Sequence, residues 1–159
     1  MTGLFGSLES MVPALRRYAG AMLLDQGEAD QVVRACVTDA IGRLRAPVDD
    51  AALRIRLFAA VYGRLAARPR FRSRRGLSPS AQRADALIAS TELTRALGRL
   101  PLEQRSVIFL LSVEDLSYAA VTEVMGMPIT AIMSLLTSGR EQLRQSVGSG
   151  TLASPRGVS

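Results

Sequence analysis

The chain contains no lysine, no histidine and no tryptophan, and only one cysteine, Cys36. Without histidine, and with a single thiol, it cannot assemble a Cys/His zinc site or a His-based catalytic triad. One cysteine also excludes an internal disulfide. Aromatic residues make up 4% of the sequence against 48% hydrophobic overall, so its apolar content is mainly leucine, alanine and other aliphatics. Such a composition favours packed helices over a sheet. No apolar run reaches the roughly 20 residues that span a bilayer, and the N-terminus lacks the basic-then-apolar order of a signal peptide. Nowhere do an acid, a base and a nucleophile fall at the spacing catalysis needs. These absences point away from an enzyme, a metal or cofactor, a small-molecule substrate and a membrane. They point towards a cytoplasmic, all-α protein with macromolecular partners.

What is present is unevenly distributed. The 159 residues suit one domain or two small ones, and the net charge is +6 with arginine supplying every basic side chain. Residues 1–50 hold five arginines against seven acids, whereas residues 51–89 hold nine arginines against one acid. Residues 90–147 return to five arginines against six acids. The basic character is therefore a central block, an electrostatic footprint suited to nucleic acid or to an acidic protein.

Hydrophobic periodicity predicts three helices before that block. Leu8, Val12, Leu15, Tyr18 and Met22 set the first, over 8–24, and Asp25-Gln26-Gly27 breaks it. Val33, Val37, Ala40, Ile41 and Leu44 set the second, over 28–45. Leu53, Leu57, Val61 and Leu65 set the third, over 51–67, with Asp50 as its N-cap. The stretch RPRFRSRRGLSPS (68–80) is a poor helix interior and reads as part of a linker over 68–86. Beyond it Leu87, Leu93 and Leu97 mark a helix ending at Leu100-Pro101, and LEQRSVIFLLSV (102–113) forms another. Then comes a short helix capped by Ser117 and ended by Gly126 in the left-handed conformation. Pro128 follows, with Thr130 as N-cap of a last helix reaching Val147. The expected organisation is a helical bundle over 1–67, the linker 68–86, a helix-turn-helix bundle over 87–147 and a flexible tail, 148–159. Two small bundles on a flexible link would leave apolar seams for a partner helix. Cys36 and the methionines Met125, Met127 and Met133 read as packing residues.

Residues 97–144 resemble the C-terminal promoter-binding domain of extracytoplasmic-function sigma factors, members of the sigma-70 family. The shared features are Leu100-Pro101, Gln104-Arg105, Glu114, Leu116-Ser117-Tyr118, Gly126, Pro128, Ser134, Leu136 and Arg140-Glu141. Residues 15–33, LRRYAGAMLLDQGEADQVV, resemble that family's polymerase-binding and promoter-melting domain more distantly. The resemblance implies core RNA polymerase, promoter DNA and an anti-sigma factor as partners. It implies DNA contacts from Ser117, Tyr118, Pro128, Thr130, Met133, Ser134, Thr137 and Arg140. It adds the linker arginines Arg68, Arg70, Arg72, Arg74 and Arg75, for which a solvated stretch is the alternative. Polymerase or partner contacts would fall to Arg16, Arg17, Asp30, Val33, Arg34, Val37, Leu57 and Phe58.

The contact residues depart from the family pattern. From Leu116 to Gly139 the helix-turn-helix contains no arginine. Leu135 and Ser138 stand where the family commonly places arginine, and Arg56-Leu57-Phe58 replaces its Trp-Leu-Phe. About 100° of turn per residue puts Ile132, Leu136, Gly139 and Leu143 on one stripe and Ser134, Thr137, Ser138 and Glu141 opposite, with Met133 and Leu135 flanking. A groove-facing side without cations predicts low intrinsic DNA affinity. Two functions fit this pattern. One is a sigma factor that directs promoter recognition and transcription initiation. The other is a sigma-like module that mimics one and sequesters an anti-sigma factor. The stretch LRIRLF (53–58) is similar to the sigma-like half of general-stress response regulators, which work in that second way.

Overall fold

A computed structural model describes residues 2–69 and 92–152. Among these residues there are seven α-helices and no strand, as the composition predicts. They are α1 (Thr2–Leu23), α2 (Gln26–Arg43), α3 (Asp50–Ala66), α4 (Glu92–Arg99), α5 (Leu102–Ser112), α6 (Tyr118–Met125) and α7 (Ile129–Leu152). No single helix among the described residues is long and apolar enough to cross a membrane.

Local chemistry sets most boundaries, and several differ from the expected ones. α1 begins at Thr2 rather than Leu8 and carries Pro13 inside it. Interior proline costs a helix about 3 kcal/mol; complete burial of Leu15, Tyr18 and Ala19, with Leu8 and Met22 nearly so, offsets it. Leu24, at φ 55°, turns the chain, and Asp25 then caps α2 by accepting from the Glu28 N–H at 2.9 Å. The break is therefore shorter than Asp25-Gln26-Gly27. Asp49, not Asp50, caps α3, accepting from the Ala52 N–H; Asp50 is the first helical residue, where a carboxylate suits the helix dipole. Thr130 is also inside its helix rather than at the cap, because the Pro128 carbonyl already accepts from the Ala131 and Ile132 N–H groups at 3.0 and 3.1 Å.

The two parts of the chain close on each other, so the seam expected to await a partner is filled by the chain itself. One hydrophobic core runs from Leu8, Leu15 and Phe58 to Leu110, Val121, Ile132 and Leu136. Tyr18 sits where the parts meet. Its ring lies 5.6 Å from that of Phe58 and 5.9 Å from that of Phe109, and its hydroxyl is 2.9 Å from the Ser106 hydroxyl. Burial pushes the Tyr18 phenol well above its ordinary range. The Arg105 guanidinium, also buried, donates to the Met22 carbonyl at 2.7 Å and to those of Gly98 and Leu100 at 2.8 and 2.9 Å. It thereby ties the end of α1 to the α4–α5 turn, satisfying carbonyls that helix termini leave free.

The polar part of the seam is built on Glu114, whose side chain is 1% exposed. Its two carboxylate oxygens accept from Arg17 at 2.7 and 3.0 Å. Arg54 donates to the Glu114 carbonyl at 2.8 Å and approaches its carboxylate at 3.5 Å. Arg17 belongs to α1 and Arg54 to α3, so a single buried carboxylate gathers two helices of the first half onto the α5–α6 connection. Its hydrogen bond from Arg17 raises the Arg17 pKa.

Candidate nucleic-acid and partner interface

The α6–α7 unit follows from three residues. The Ser117 hydroxyl accepts from the Ala120 N–H at 3.1 Å, giving α6 its start. Gly126 ends it at φ 63° and ψ 33°, a left-handed conformation that a Cβ disfavours, and its N–H donates to the Thr122 carbonyl. Pro128 supplies the first acceptor of α7. The two helices meet at 99°, within the range of helix-turn-helix units.

The facial assignment of α7 agrees with the expected one. Ile132, Leu136 and Gly139 are buried, and Ser134, Thr137, Ser138 and Glu141 are exposed. Gly139 marks a close approach: a Cβ there would come within 2.8 Å of Ile108 Cδ1 and 3.3 Å of Gln104 Cβ on α5. Leu135 is half-buried and packs against the core, whereas Met133 is 53% exposed. Ser117, Tyr118, Pro128, Thr130, Met133, Ser134, Thr137 and Arg140, the positions expected to meet DNA, are all exposed.

The charge on this face is sparse. α6 and α7 carry two arginines, Arg140 and Arg144, and two acids, Glu123 and Glu141. Arg144 is bound to Glu141 through bonds of 2.8 and 2.9 Å, which lower the Glu141 pKa and raise that of Arg144. Arg140 makes no ion pair among the described residues. Thr137 turns its hydroxyl back onto the Met133 carbonyl at 2.9 Å, leaving the oxygen free to accept rather than donate. Of the linker arginines only Arg68 is described. It donates to Glu28 at 2.8 Å, anchoring the end of α3 to α2. Arg70, Arg72, Arg74 and Arg75 lie outside the described residues.

The positions expected to hold polymerase or another partner separate into three kinds. Val33, Leu57 and Phe58 are 3%, 1% and 1% exposed and pack in the core. An apolar side chain on a helix face satisfies the same sequence pattern whether it packs inward or meets a partner. Arg16 and Asp30 are exposed or half-exposed but bind each other at 2.7 and 3.0 Å. That hydrogen bond raises the Arg16 pKa and depresses that of Asp30, to which Gln26 also donates. Arg17 is committed to Glu114. Arg34 remains at the surface, and Val37 is half-buried. The seam residues Arg54, Arg105, Ser106 and Glu114 were not assigned a role from sequence. The one available signal was Glu114 itself, a carboxylate directly after the apolar helix at 102–113 and in need of a cation if buried.

Residues 8–62 match the family model of the Sigma2 domain of PhyR, and residues 90–143 match that of Sigma-70, region 4. The chain is assembled from two sigma-70 family domains. Its region 4 half contains the helix-turn-helix, and its region 2-like half is the α1–α3 bundle. Among solved structures the fold is similar to the sigma factor RpoE from Bartonella quintana, crystallised in complex with the anti-sigma factor NepR. The identity is 19% and the TM-score 0.72, over 93% of this chain and 98% of that one. It is also similar to the anti-anti-sigma factor PhyR from Bartonella quintana, likewise complexed with NepR. Here the identity is 19% and the TM-score 0.62, over 91% of this chain and 50% of that one.

Proposed function

We propose that the chain is an extracytoplasmic-function sigma factor. In this reading the region 2-like half docks on core RNA polymerase and opens promoter DNA. The region 4 half places α7 on the upstream element. The observation that carries the proposal is the pairing of a region 2-like half with a region 4 half whose helix-turn-helix face stands free of the core. Tyr118, Pro128, Thr130, Met133, Ser134, Thr137 and Arg140 all project from that face. Arg70, Arg72, Arg74 and Arg75 supply the cations that α7 lacks.

A second reading has its own support. The first half matches PhyR's version of the domain, and the outward face of α7 offers one arginine outside an ion pair. A face like that suits a sigma-like module that captures an anti-sigma factor and leaves promoter DNA alone. Reconstitution with core RNA polymerase on a promoter library separates the two. Promoter-specific transcripts support the sigma factor. Failure to form a polymerase complex, in a protein that still binds an anti-sigma factor of the NepR type, supports the mimic.

A further inference from the structure

We propose that Ile129 and Met133 read thymine methyl groups in the major groove, so that the upstream element this chain selects is marked by T·A pairs and not by guanines. In a helix-turn-helix the N-terminal residues of the second helix meet the base edges. Here those residues run from Ile129 to Ser138, ITAIMSLLTS. Guanine is read by arginine or lysine, adenine by asparagine or glutamine, and cytosine by a carboxylate. None of these side chains occurs in the stretch. What it offers the groove is hydroxyls and apolar groups. The hydroxyls of Thr130 and Ser134 suit several bases and discriminate poorly. Thr137 has already given its proton to the Met133 carbonyl. The base-specific partner left for such a face is the thymine 5-methyl, which takes an apolar contact.

The two apolar side chains are placed for that contact. Ile129 and Met133 are 50% and 53% exposed, whereas Ile132 and Leu136 of the same helix are buried, so the core does not hold the exposed pair. Four residues of helix separate them by about 6 Å of rise, close to the roughly 7 Å between alternate base pairs. Arg140 falls about 16 Å beyond Ile129 along the helix axis, past the reading end. A cation there suits phosphate and not a base edge. A protein is the competing occupant of an exposed apolar pair. The apolar stripe stops after Met133, because Thr137 and Arg140 continue it on the surface. Two side chains fall far short of the roughly 20–30 residues a side that stable protein interfaces use.

This inference rests on the sigma-factor reading in that α7 has to meet duplex DNA, and its test keeps the two separable. Randomised duplexes are selected against the full chain at low salt, where phosphate contacts bind most tightly. Winners are remeasured with each enriched thymine replaced by deoxyuridine, which removes only the methyl, against the wild type and Ile129→Ala/Met133→Ala. Both positions are exposed, so the double variant should fold, and circular dichroism verifies it. The expected result begins with enrichment of thymine. The wild type should then lose affinity roughly fourfold for each contacted methyl removed, and the double variant should no longer distinguish thymine from deoxyuridine. Selection of guanine without thymine, a wild type indifferent to deoxyuridine, a double variant that keeps the full methyl effect, or no selected duplex at all would overturn the proposal. So would a double variant that binds duplexes normally but loses an anti-sigma factor, which would make the pair a protein contact. Promoter-specific transcripts from the polymerase reconstitution, without a methyl effect, leave the sigma-factor reading standing and overturn this inference alone. A methyl effect without a polymerase complex supports this inference and sinks that reading.

Discussion

Removing the Arg17 side chain should destabilise the fold more than neutralising Glu114, although both changes break the same ion pair. The difference lies in which partner can reach water. Arg17 is 52% exposed and Arg54 37%, whereas the Glu114 side chain is 1% exposed. Arg17→Ala leaves a buried carboxylate with one cation at 3.5 Å. Losing a partner of a fully buried pair costs about 3–5 kcal/mol. Half-exposure of the arginine lets solvent screen part of that, which brings the expected cost to about 2–3 kcal/mol. Glu114→Gln keeps the shape and one carbonyl acceptor, and both arginines can rehydrate. It exchanges charge-assisted bonds for neutral ones, a difference of about 1 kcal/mol each, so about 1–2 kcal/mol in all.

The assay is urea denaturation of the wild type, both single variants and the double variant. Arg17→Ala/Glu114→Gln should cost about 1–2 kcal/mol less than the sum of the singles, because once the charge is gone the missing arginine matters little. The denaturation slope should stay unchanged in Glu114→Gln if the halves unfold together. A coupling below about 0.3 kcal/mol, the level expected of independent sites, would refute the reasoning. So would a Glu114→Gln variant less stable than Arg17→Ala.

Other consequences follow from single residues. Gly126→Ala should lose about 1 kcal/mol from left-handed backbone strain alone, since a Cβ there meets nothing within 4 Å; thermal unfolding would show it, and an unchanged midpoint would contradict the strain argument. Ser134→Arg/Ser138→Arg should bind duplex DNA more tightly, with the slope of log affinity against log salt steeper by about 0.9 for each phosphate gained. Leu135 is unsuited to that test because it packs against the core, and an unchanged slope would mean this face does not meet DNA. Burial raises the Tyr62 pKa to about 12, so the folded state favours the neutral phenol. That stabilisation is complete below the unfolded value of about 10 and is lost as pH rises towards about 12. Tyr62→Phe should therefore lose less stability than the wild type between those values in denaturation at fixed pH, and parallel losses would refute the assignment.

Local chemistry made the helix-turn-helix legible in the amino-acid order. Ser117 and Gly126 have few physical alternatives in their positions, and the 3.6-residue period by itself sorts α7 into buried and exposed faces. Capping was less decisive wherever two candidates adjoin: Asp49 and Asp50 both carry the necessary oxygen, and one residue of register separates them. The seam was not legible. Glu114 meets Arg17 across 97 residues of sequence, and neither neighbourhood announces the other. Val33, Leu57 and Phe58 show the complementary difficulty, since apolar periodicity records that a side chain leaves water but not what receives it.

The sparse charge of α7 and the closed seam bear on one question, how a region 4 half of this kind could act on DNA. A face that offers Arg140, with Arg144 engaged by Glu141, can neutralise one or two phosphates. Its affinity would then fall with salt on a slope of only about −1 to −2, against the steeper dependence of proteins making six to ten such contacts. Contacts that few leave duplex binding weak, and weak binding becomes useful only when the helix is held near its site. Tethering through a polymerase-bound first half supplies effective concentrations of about millimolar. At such concentrations even a poor reader is substantially occupied. The Glu114 seam sets the cost of that arrangement: if α7 must swing away from α1 and α3 to reach the upstream element, the ion pair, the Tyr18–Ser106 bond and the shared core have to be given up first. Promoter engagement by α7 would then compete directly with the packing that holds the two halves together, and weakening the seam at Glu114 should favour it.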